Sequence, residues 1–374
     1  MLYSFGENVK KNPEFRSFFS KTSAKSGQNI TFFTRTYCQI SRHPDRSGGI
    51  CLNSPAVGRI PLLPNSAKMS HFLQEHIAKC PKLLQNSDME IAMIQGKIVP
   101  LDRVSPSWLD RGTYFGDGVY EVIRSYDGKL FALDDHLARL KRSLAAIDIR
   151  SINIDQVRRR VKTAYKTANI ANAKVYLHIT RGAEIRDHTD GNDLKPNFFL
   201  TVTNLPDCSD QKANGISVCT YPDIRWKRCD IKSLNLLPNV LAKREAARQD
   251  CDEAIFIDDN GDITEGAGSA FFMVLTQDKK LVTHPLGPQV LDSITRKVVI
   301  EIAPKVGLTV LQKAITPWQA DWADELFIAV TTKDIVPVTH FDGEVIGDGK
   351  PGKFTKLLIK EFQKEVRKKN LTAQ

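Results

Sequence analysis

Lys232 lies in Arg228-Cys-Asp-Ile-Lys-Ser-Leu-Asn235, and a carboxylate follows downstream in Thr264-Glu265-Gly266. A lysine amine attacks carbonyl groups only when uncharged, and apolar surroundings favour that form by penalising the ammonium. Ile231, Leu234, Leu236 and Leu237 flank Lys232, so its aliphatic stem is expected against apolar packing. A nucleophilic amine with a lone carboxylate is the pair that a pyridoxal phosphate site requires. The amine forms the Schiff base, and the carboxylate holds the pyridine nitrogen protonated. Each residue alone also has a plainer reading: most lysines are solvated, and Glu265 in Asp-Ile-Thr-Glu-Gly has the setting of a turn or strand-end carboxylate.

The elements that must position these groups begin near Glu90. Val119–Tyr126, the dipeptide Asp127-Gly128 and Lys129–Leu133 predict a β-hairpin with a type I′ turn. Asp134 is placed to cap a helix carrying Leu137, Leu140, Leu144 and Ile147 on one face. A second helix follows Asp155, with Val157, Val161, Ala164 and Ala168 as its stripe, and strand-like runs follow at Lys174–Thr180 and Asn197–Thr203. The polar, turn-rich stretch Pro206–Gly215 is the clearest domain boundary. Beyond it, strands near 216–221, 254–257, 269–275 and 325–331 alternate with helices near 238–250, 293–306 and 350–368. The expected organisation is a leader over 1–92, a small α/β domain over 93–207 and a larger domain over 208–374, with mixed sheets in both domains.

Six motifs share one order. Arg111-Gly-Thr-Tyr-Phe-Gly-Asp-Gly-Val-Tyr-Glu-Val-Ile-Arg124 is followed by His136-Leu-Ala-Arg139-Leu, Thr180-Arg-Gly182, Asp230-Ile-Lys232-Ser-Leu-Asn235, Thr264-Glu-Gly266 and Ser293-Ile-Thr-Arg296. Together they resemble the class IV (fold type IV) aminotransferases from about Met93 to the C-terminus. Within that family the chain looks most like the D-amino acid aminotransferases. The resemblance implies a two-domain α/β (α+β) fold, with a small N-terminal domain, a C-terminal mixed-sheet pseudo-barrel and pyridoxal 5'-phosphate between them. It also implies a homodimer.

Residue by residue, the resemblance makes Lys232 the Schiff-base residue and proton carrier, and sets Glu265 against the pyridine nitrogen. It assigns Arg139, Ile294, Thr295 and Thr331 to the phosphate, and Tyr120, Arg186 and His188 to the substrate carboxylate, the last two reaching the partner's site. The chemistry is sound: a guanidinium fork matches a carboxylate, and a helix N-terminus favours an anion. Without the resemblance, Arg139 beside Lys141 and Arg142 reads as a solvated helix face, Ser293 as an ordinary N-cap, and Glu184–Asp193 as a charged loop. Two departures stand out. Val330 occupies a place where relatives often carry a hydroxyl, and Ala267-Gly268 replaces serines common after the Glu-Gly, so weaker cofactor retention is expected. The implied reaction moves an amino group from D-alanine to 2-oxoglutarate. Branched-chain L-amino acid transamination and 4-amino-4-deoxychorismate lysis are the alternatives on the same scaffold.

Composition removes other classes. The chain has 374 residues, 41% apolar and 26% charged, and no run of membrane-spanning length. Its net charge of +10 could signal a polyanion partner, but residues 1–92 hold 12 basic and 6 acidic residues, and the remainder holds 41 and 37. The excess is concentrated in the leader, so a leader that binds a polyanion is the non-enzymatic alternative, and no nucleic-acid or membrane partner is expected for the fold. Seven cysteines with no CxxC spacing read as reduced thiols, and no metal site is expected. Cys229 reads as a small buried hydrophobe rather than a nucleophile. The cytoplasm is the expected location, or an organelle if the Ser-, Arg- and Lys-rich leader is a transit peptide.

Overall fold

The computed structural model describes residues 90–189 and 194–372, and before residue 90 the backbone of four strands. The leader expected over 1–92 therefore lies outside the described residues, apart from those strands and residues 90–92. The chain divides into two units, Met1–Asp102 and Arg103–Gln374. In the first, β1 (Phe33–Thr34), β2 (Cys38–Arg42), β3 (Ile50–Ser54) and β4 (Gly58–Pro61) form an antiparallel meander, and β5 (Ile91–Ile94) pairs with β6 (Lys97–Pro100).

The second unit opens with a short helix, α1 (Arg111–Phe115), followed by a four-stranded antiparallel sheet. Strands β7 (Gly118–Tyr126), β8 (Lys129–Leu130), β9 (Ala173–Thr180) and β10 (Asn197–Asn204) lie in the order β10-β9-β7-β8. The expected type I′ turn is present, with φ of 48° at Asp127 and 85° at Gly128. The second hairpin strand is shorter than the sequence suggests, because Ala132 turns the chain at φ 50° into α2 (Leu133–Ala146). Asp134 thus sits inside the first turn and is not the cap, and Ala132 occupies the N-cap without a side-chain bond. Asn153 caps α3 (Ile154–Ala168) by accepting from the Gln156 N–H. Alternation on β7 and β9 sends Val119 and Ile123, their partners Ile179 and Val175, and Leu177 between those two onto the apolar stripes of α2 and α3. Tyr120, Val122 and Arg124 face the other way.

The stretch expected as a domain boundary, Pro206–Gly215, holds a helix, α4 (Ser209–Asn214), lies within the second unit and leads into a nine-stranded mixed sheet. Its strands are β11 (Ile216–Pro222), β12 (Glu253–Ile257), β13 (Ile263–Gly266), β14 (Ala270–Leu275), β15 (Lys280–Thr283), β16 (Thr309–Gln312), β17 (Glu325–Val330), β18 (Asp334–Phe341) and β19 (Glu344–Val345). The order is β13-β12-β11-β18-β17-β14-β15-β16, with β19 on β18. Its two ends meet: Ile263 in β13 bridges Ile315, three residues past β16, and its N–H donates to the Ile315 carbonyl at 2.7 Å. The sheet is therefore curled into the expected pseudo-barrel. Phe271, Met273, Ile328 and Val336 point into one core. Their neighbours Phe272, Val274, Phe327 and Ile335 pack beneath α6 (Ile294–Ile302) and α8 (Lys353–Thr372). Helix α5 (Leu237–Arg248) lies on β11 and β12 through Ala242 and Ala246, and the short α7 (Pro317–Asp321) carries a capping box at Thr316 and Gln319.

Candidate active site

Strand β7 pairs with β8 at Ser125 and Tyr126, and the Arg124 carbonyl accepts from the Phe131 N–H, which leaves the edge of residues 118–123 open. The Lys232 segment covers that edge. Tyr120 N–H donates to the Lys232 carbonyl and Leu234 N–H to the Gly118 carbonyl, both at 3.0 Å, and Lys232 N–H donates to Ser143 Oγ at 3.2 Å. Ile231 drops into the core beneath. The approach is close enough to require glycine at 118, where a Cβ would lie 2.7 Å from the Ile179 carbonyl and 2.9 Å from Leu234 Cδ1. Lys232 Nζ then stands 3.3 Å from the Tyr120 hydroxyl and 4.3 Å from its ring centroid.

Glu265 is a buried residue, not a solvated turn carboxylate. Its Oε1 accepts from Arg225 Nη1 at 2.5 Å, and the Leu291 N–H reaches both oxygens at 3.2 Å. Burial raises the carboxyl above its ordinary range, against the opposing pull of Arg225 and the Leu291 N–H. Arg225 had no assignment from sequence. It also grips Asp223 with two bonds, of 2.9 and 2.7 Å, and lies over the Phe256 ring.

Arg139 is only 3% exposed, so the solvated-face reading fails. Its Nε and Nη2 donate to the two oxygens of Glu121 at 2.7 Å each, and its Nη1 to the Asp292 carbonyl at 2.9 Å. Glu121 is fully buried; burial would raise its carboxyl, but the Arg139 charge and hydrogen bonds, with His136, overcome this and hold it at about 2. His136 Nδ1 lies 2.8 Å from Glu121 Oε2. Burial lowers the imidazole's proton affinity despite that carboxylate, so the ring is read as neutral, with Nδ1–H donating. Its buried Nε2 has no hydrogen-bond partner among the described residues. The Arg139–Asp292 bond ties α2 to the entry of α6. There Ser293 accepts from Arg296 N–H, and Ile294 and Thr295 occupy the first two helical positions, whose N–H groups have no intrahelical acceptor. The N-cap and the anion-site readings of this segment hold together.

The remaining expected residues lie apart from this group. Thr331 is half-buried in the turn from β17 to β18, which Lys333 N–H closes onto the Val330 carbonyl at 3.1 Å. No hydrogen bond joins Thr331 to Arg139 or α6 among the described residues. Ala267 donates to the Ala254 carbonyl and accepts from Asn239 Nδ2, and a Cβ at Gly268 would stand 3.8 Å from Glu253 Oε2. Arg186 and His188 are exposed and pack on Phe115, at 5.2 Å from guanidinium to ring centroid and 5.4 Å between centroids. Among the described residues neither has a hydrogen bond or ring contact to Tyr120 or Lys232. Their loop is fixed by buried Arg111, which donates to Glu184 Oε1 at 2.5 Å and to the carbonyls of Asp187 and His188 at 2.8 and 3.1 Å. Cys229 is partly buried and donates to the Trp226 carbonyl; burial pushes its thiol up to about 12, against the opposing Arg225 charge, which leaves it unreactive.

This donor set fits pyridoxal phosphate. Lys232 supplies an amine, and among the described residues Glu265 Oε2 accepts only from Leu291 and so retains lone pairs for a ring N–H. Three of Arg139's five N–H groups are used, leaving two for phosphate beside the N–H groups of Ile294 and Thr295. Residues 118–341 match the family described as amino-transferase class IV. The chain is 38% identical over 275 residues to a D-alanine aminotransferase of Bacillus licheniformis, covering 73% of this chain and 96% of that one. It is 40% identical over 261 residues to one of Listeria monocytogenes, covering 69% and 89%. Among solved structures, the Escherichia coli branched-chain amino acid aminotransferase superposes with a TM-score of 0.64 at 24% identity, covering 74% of this chain and 94% of that one. The PLP-bound form of a hypothetical aminotransferase from Mycobacterium tuberculosis gives 0.62 at 21%, covering 74% and 98%. These likenesses, with the amine, buried carboxylate and anion cradle that the two sheets bring together, establish the chain as a member of the class IV, pyridoxal phosphate-dependent aminotransferases.

Proposed function

We propose that the protein is a homodimeric transaminase of D-amino acids, passing the amino group of D-alanine to 2-oxoglutarate to yield pyruvate and D-glutamate. The observation that carries this reading is the Tyr120 hydroxyl 3.3 Å from Lys232 Nζ, in a chain 37–40% identical to D-alanine aminotransferases over most of their length. When bound, pyridoxal phosphate supplies a carbonyl for the amino group and a ring that withdraws electrons from the substrate's α-carbon. Arg139 and the N-terminus of α6 hold the phosphate and so set the reach to Lys232. The Lys232 amine would take the α-proton and deliver it, on the same face, to the carbon that supplied the carbonyl. Tyr120 donates its hydroxyl to the α-carboxylate and fixes which face meets the lysine. Arg186 and His188, exposed and turned onto Phe115, support a role at the site of a second copy of the chain. The proposed partners are amino acids, 2-oxo acids and that second copy, with no part for nucleic acid or membrane.

The test is the absorption spectrum of the loaded protein titrated with D-alanine or L-alanine, then with 2-oxoglutarate. D-alanine is expected to convert the lysine-linked form to the amine form of the cofactor, and the oxo acid to restore it. Conversion by L-amino acids alone would replace this reading with branched-chain transamination.

A further inference from the structure

Of the groups that the family assignment names, Arg225 bonds Glu265 among the described residues, and four of its five N–H groups have acceptors there. Nε and Nη2 grip the two oxygens of Asp223, Nη2 also donates to Thr264 Oγ1 at 3.3 Å and to the Gln289 carbonyl at 3.1 Å, and Nη1 holds Glu265 Oε1 at 2.5 Å. Phe256 covers one face of the guanidinium at 4.4 Å. Side-chain exposure is 7% for Arg225 and 9% for each carboxylate it pairs in these bridges, so little solvent screens them. Thr264 Oγ1 also donates to Asp223 Oδ2 at 3.0 Å, which ties the strand bearing Glu265 to the same anchor.

We infer that Arg225 is a positioning residue whose guanidinium, anchored by Asp223, keeps the Glu265 carboxylate ionised and its Oε2 turned out as the acceptor for the cofactor's ring nitrogen. Three observations converge on this. The hydrogen bonds occupy Oε1 twice and Oε2 once, so the two oxygens are not equivalent and the free capacity lies on Oε2. The cluster of Asp223, Arg225 and Glu265 carries a net charge of −1 in a buried place, which a protonated pyridine ring would cancel. Without Arg225 the same place would hold two carboxylates, and the cheapest relief is to protonate one. A neutral Glu265 would no longer offset the charge of a cationic ring, so the ring would lose its proton more readily and the electron withdrawal that transamination needs would weaken.

The inference rests on the proposed pyridoxal phosphate site for its ring-nitrogen half alone, and two measurements separate the halves. The first uses cofactor-free protein with 13C-labelled glutamate carboxyls, the Glu265 signal being identified by its loss in Glu265→Gln. Arg225→Met is expected to raise the proton affinity of Glu265 by at least about tenfold, one pH unit at the midpoint. Asp223→Asn, which removes an anion and leaves the cation, is expected to move it the opposite way. A midpoint unmoved by both substitutions overturns the inference, and either variant suffices if the other does not fold. The second measurement loads the protein with cofactor labelled with 15N in the ring. The wild-type signal is expected in the protonated range, that of Arg225→Met in the unprotonated range, and Arg225→Lys should return it toward the wild type. A purely structural role would reduce the loaded fraction without moving the signal. A wild-type protein that takes up no cofactor would defeat the functional reading, while the carboxyl titration would still decide the role of Arg225.

Discussion

Glu121→Gln tests the energetics of the phosphate end of the site. Glu121 is fully buried, and its proton affinity falls from an ordinary 4.5 to about 2 because Arg139 and His136 outweigh its burial. That displacement corresponds to about 3 kcal/mol of stability. The sign follows from the depressed folded-state value: the contribution is complete above pH 4.5 and disappears as pH falls through 2. The amide keeps the shape but not the charge, so it leaves Arg139 buried without its counterion. At pH 7 the variant is expected to be less stable by about 3–5 kcal/mol, a Tm lower by roughly 6–20 °C at about 2–4 °C per kcal/mol. Between pH 4.5 and pH 3 the wild type loses about half of this contribution and the variant nothing, so the gap must narrow. Thermal unfolding of both cofactor-free proteins at pH 7, 4.5 and 3 measures it directly. An equal Tm at pH 7, or a gap at pH 3 as wide as at pH 7, would refute the assignment of Glu121 as an ionised anchor for Arg139. Inorganic phosphate should raise the variant's Tm, because it replaces the missing anion at the guanidinium.

Three further outcomes are expected. Lys232→Ala should show no absorbance of lysine-linked cofactor and lose at least about a thousandfold in kcat; a surviving band would remove Lys232 from the mechanism. Arg186→Ala should raise KM for the amino acid about tenfold or more with a smaller change in kcat, and unchanged kinetics would end its assignment to the α-carboxylate. Glu325 accepts from the N–H groups of Phe354 and Thr355 and from the Thr355 hydroxyl, capping α8 from a neighbouring strand. Glu325→Ala should therefore cost about 2 kcal/mol, and an unshifted Tm on calorimetry would contradict that role.

Periodicity made much of this fold legible. The β7–β8 turn is written in Asp127-Gly128, and the stripes of α2 and α3 are where the apolar spacing puts them. Strands β13, β15 and β16 escaped because each has four residues, too few to separate a strand from a loop on pattern alone. Asp134 misled as a cap because a backbone reversal at Ala132, which no residue preference signals, starts the helix early. In the site, Lys232 and Glu265 carry local motifs, but Arg139 reads as solvent-facing beside exposed Lys141 and Arg142. Only the carboxylate of Glu121, 18 residues earlier on another element, reveals it as buried. Arg225 was missed for a related reason, since its partner Glu265 is 40 residues away. The one available signal was Asp223 two residues before it, a spacing that puts both side chains on the same side of an extended segment.

The placement of β18 has a consequence for synthesis on the ribosome. It lies between β11 and β17 and pairs in parallel with β11, a strand completed more than a hundred residues earlier. The small sheet, whose members all fall within residues 118–204, has every partner once β10 has emerged. The curled sheet has no centre until residue 341 is free, so β11 and β12 must wait with the apolar face opposite α5 uncovered while the intervening chain is made. That interval is when the nascent protein is most exposed to aggregation and most in need of a chaperone. A chain ending before Asp334 would keep Lys232, Glu265 and Arg139 in its sequence and still lack the strand that joins the two halves of the sheet around them.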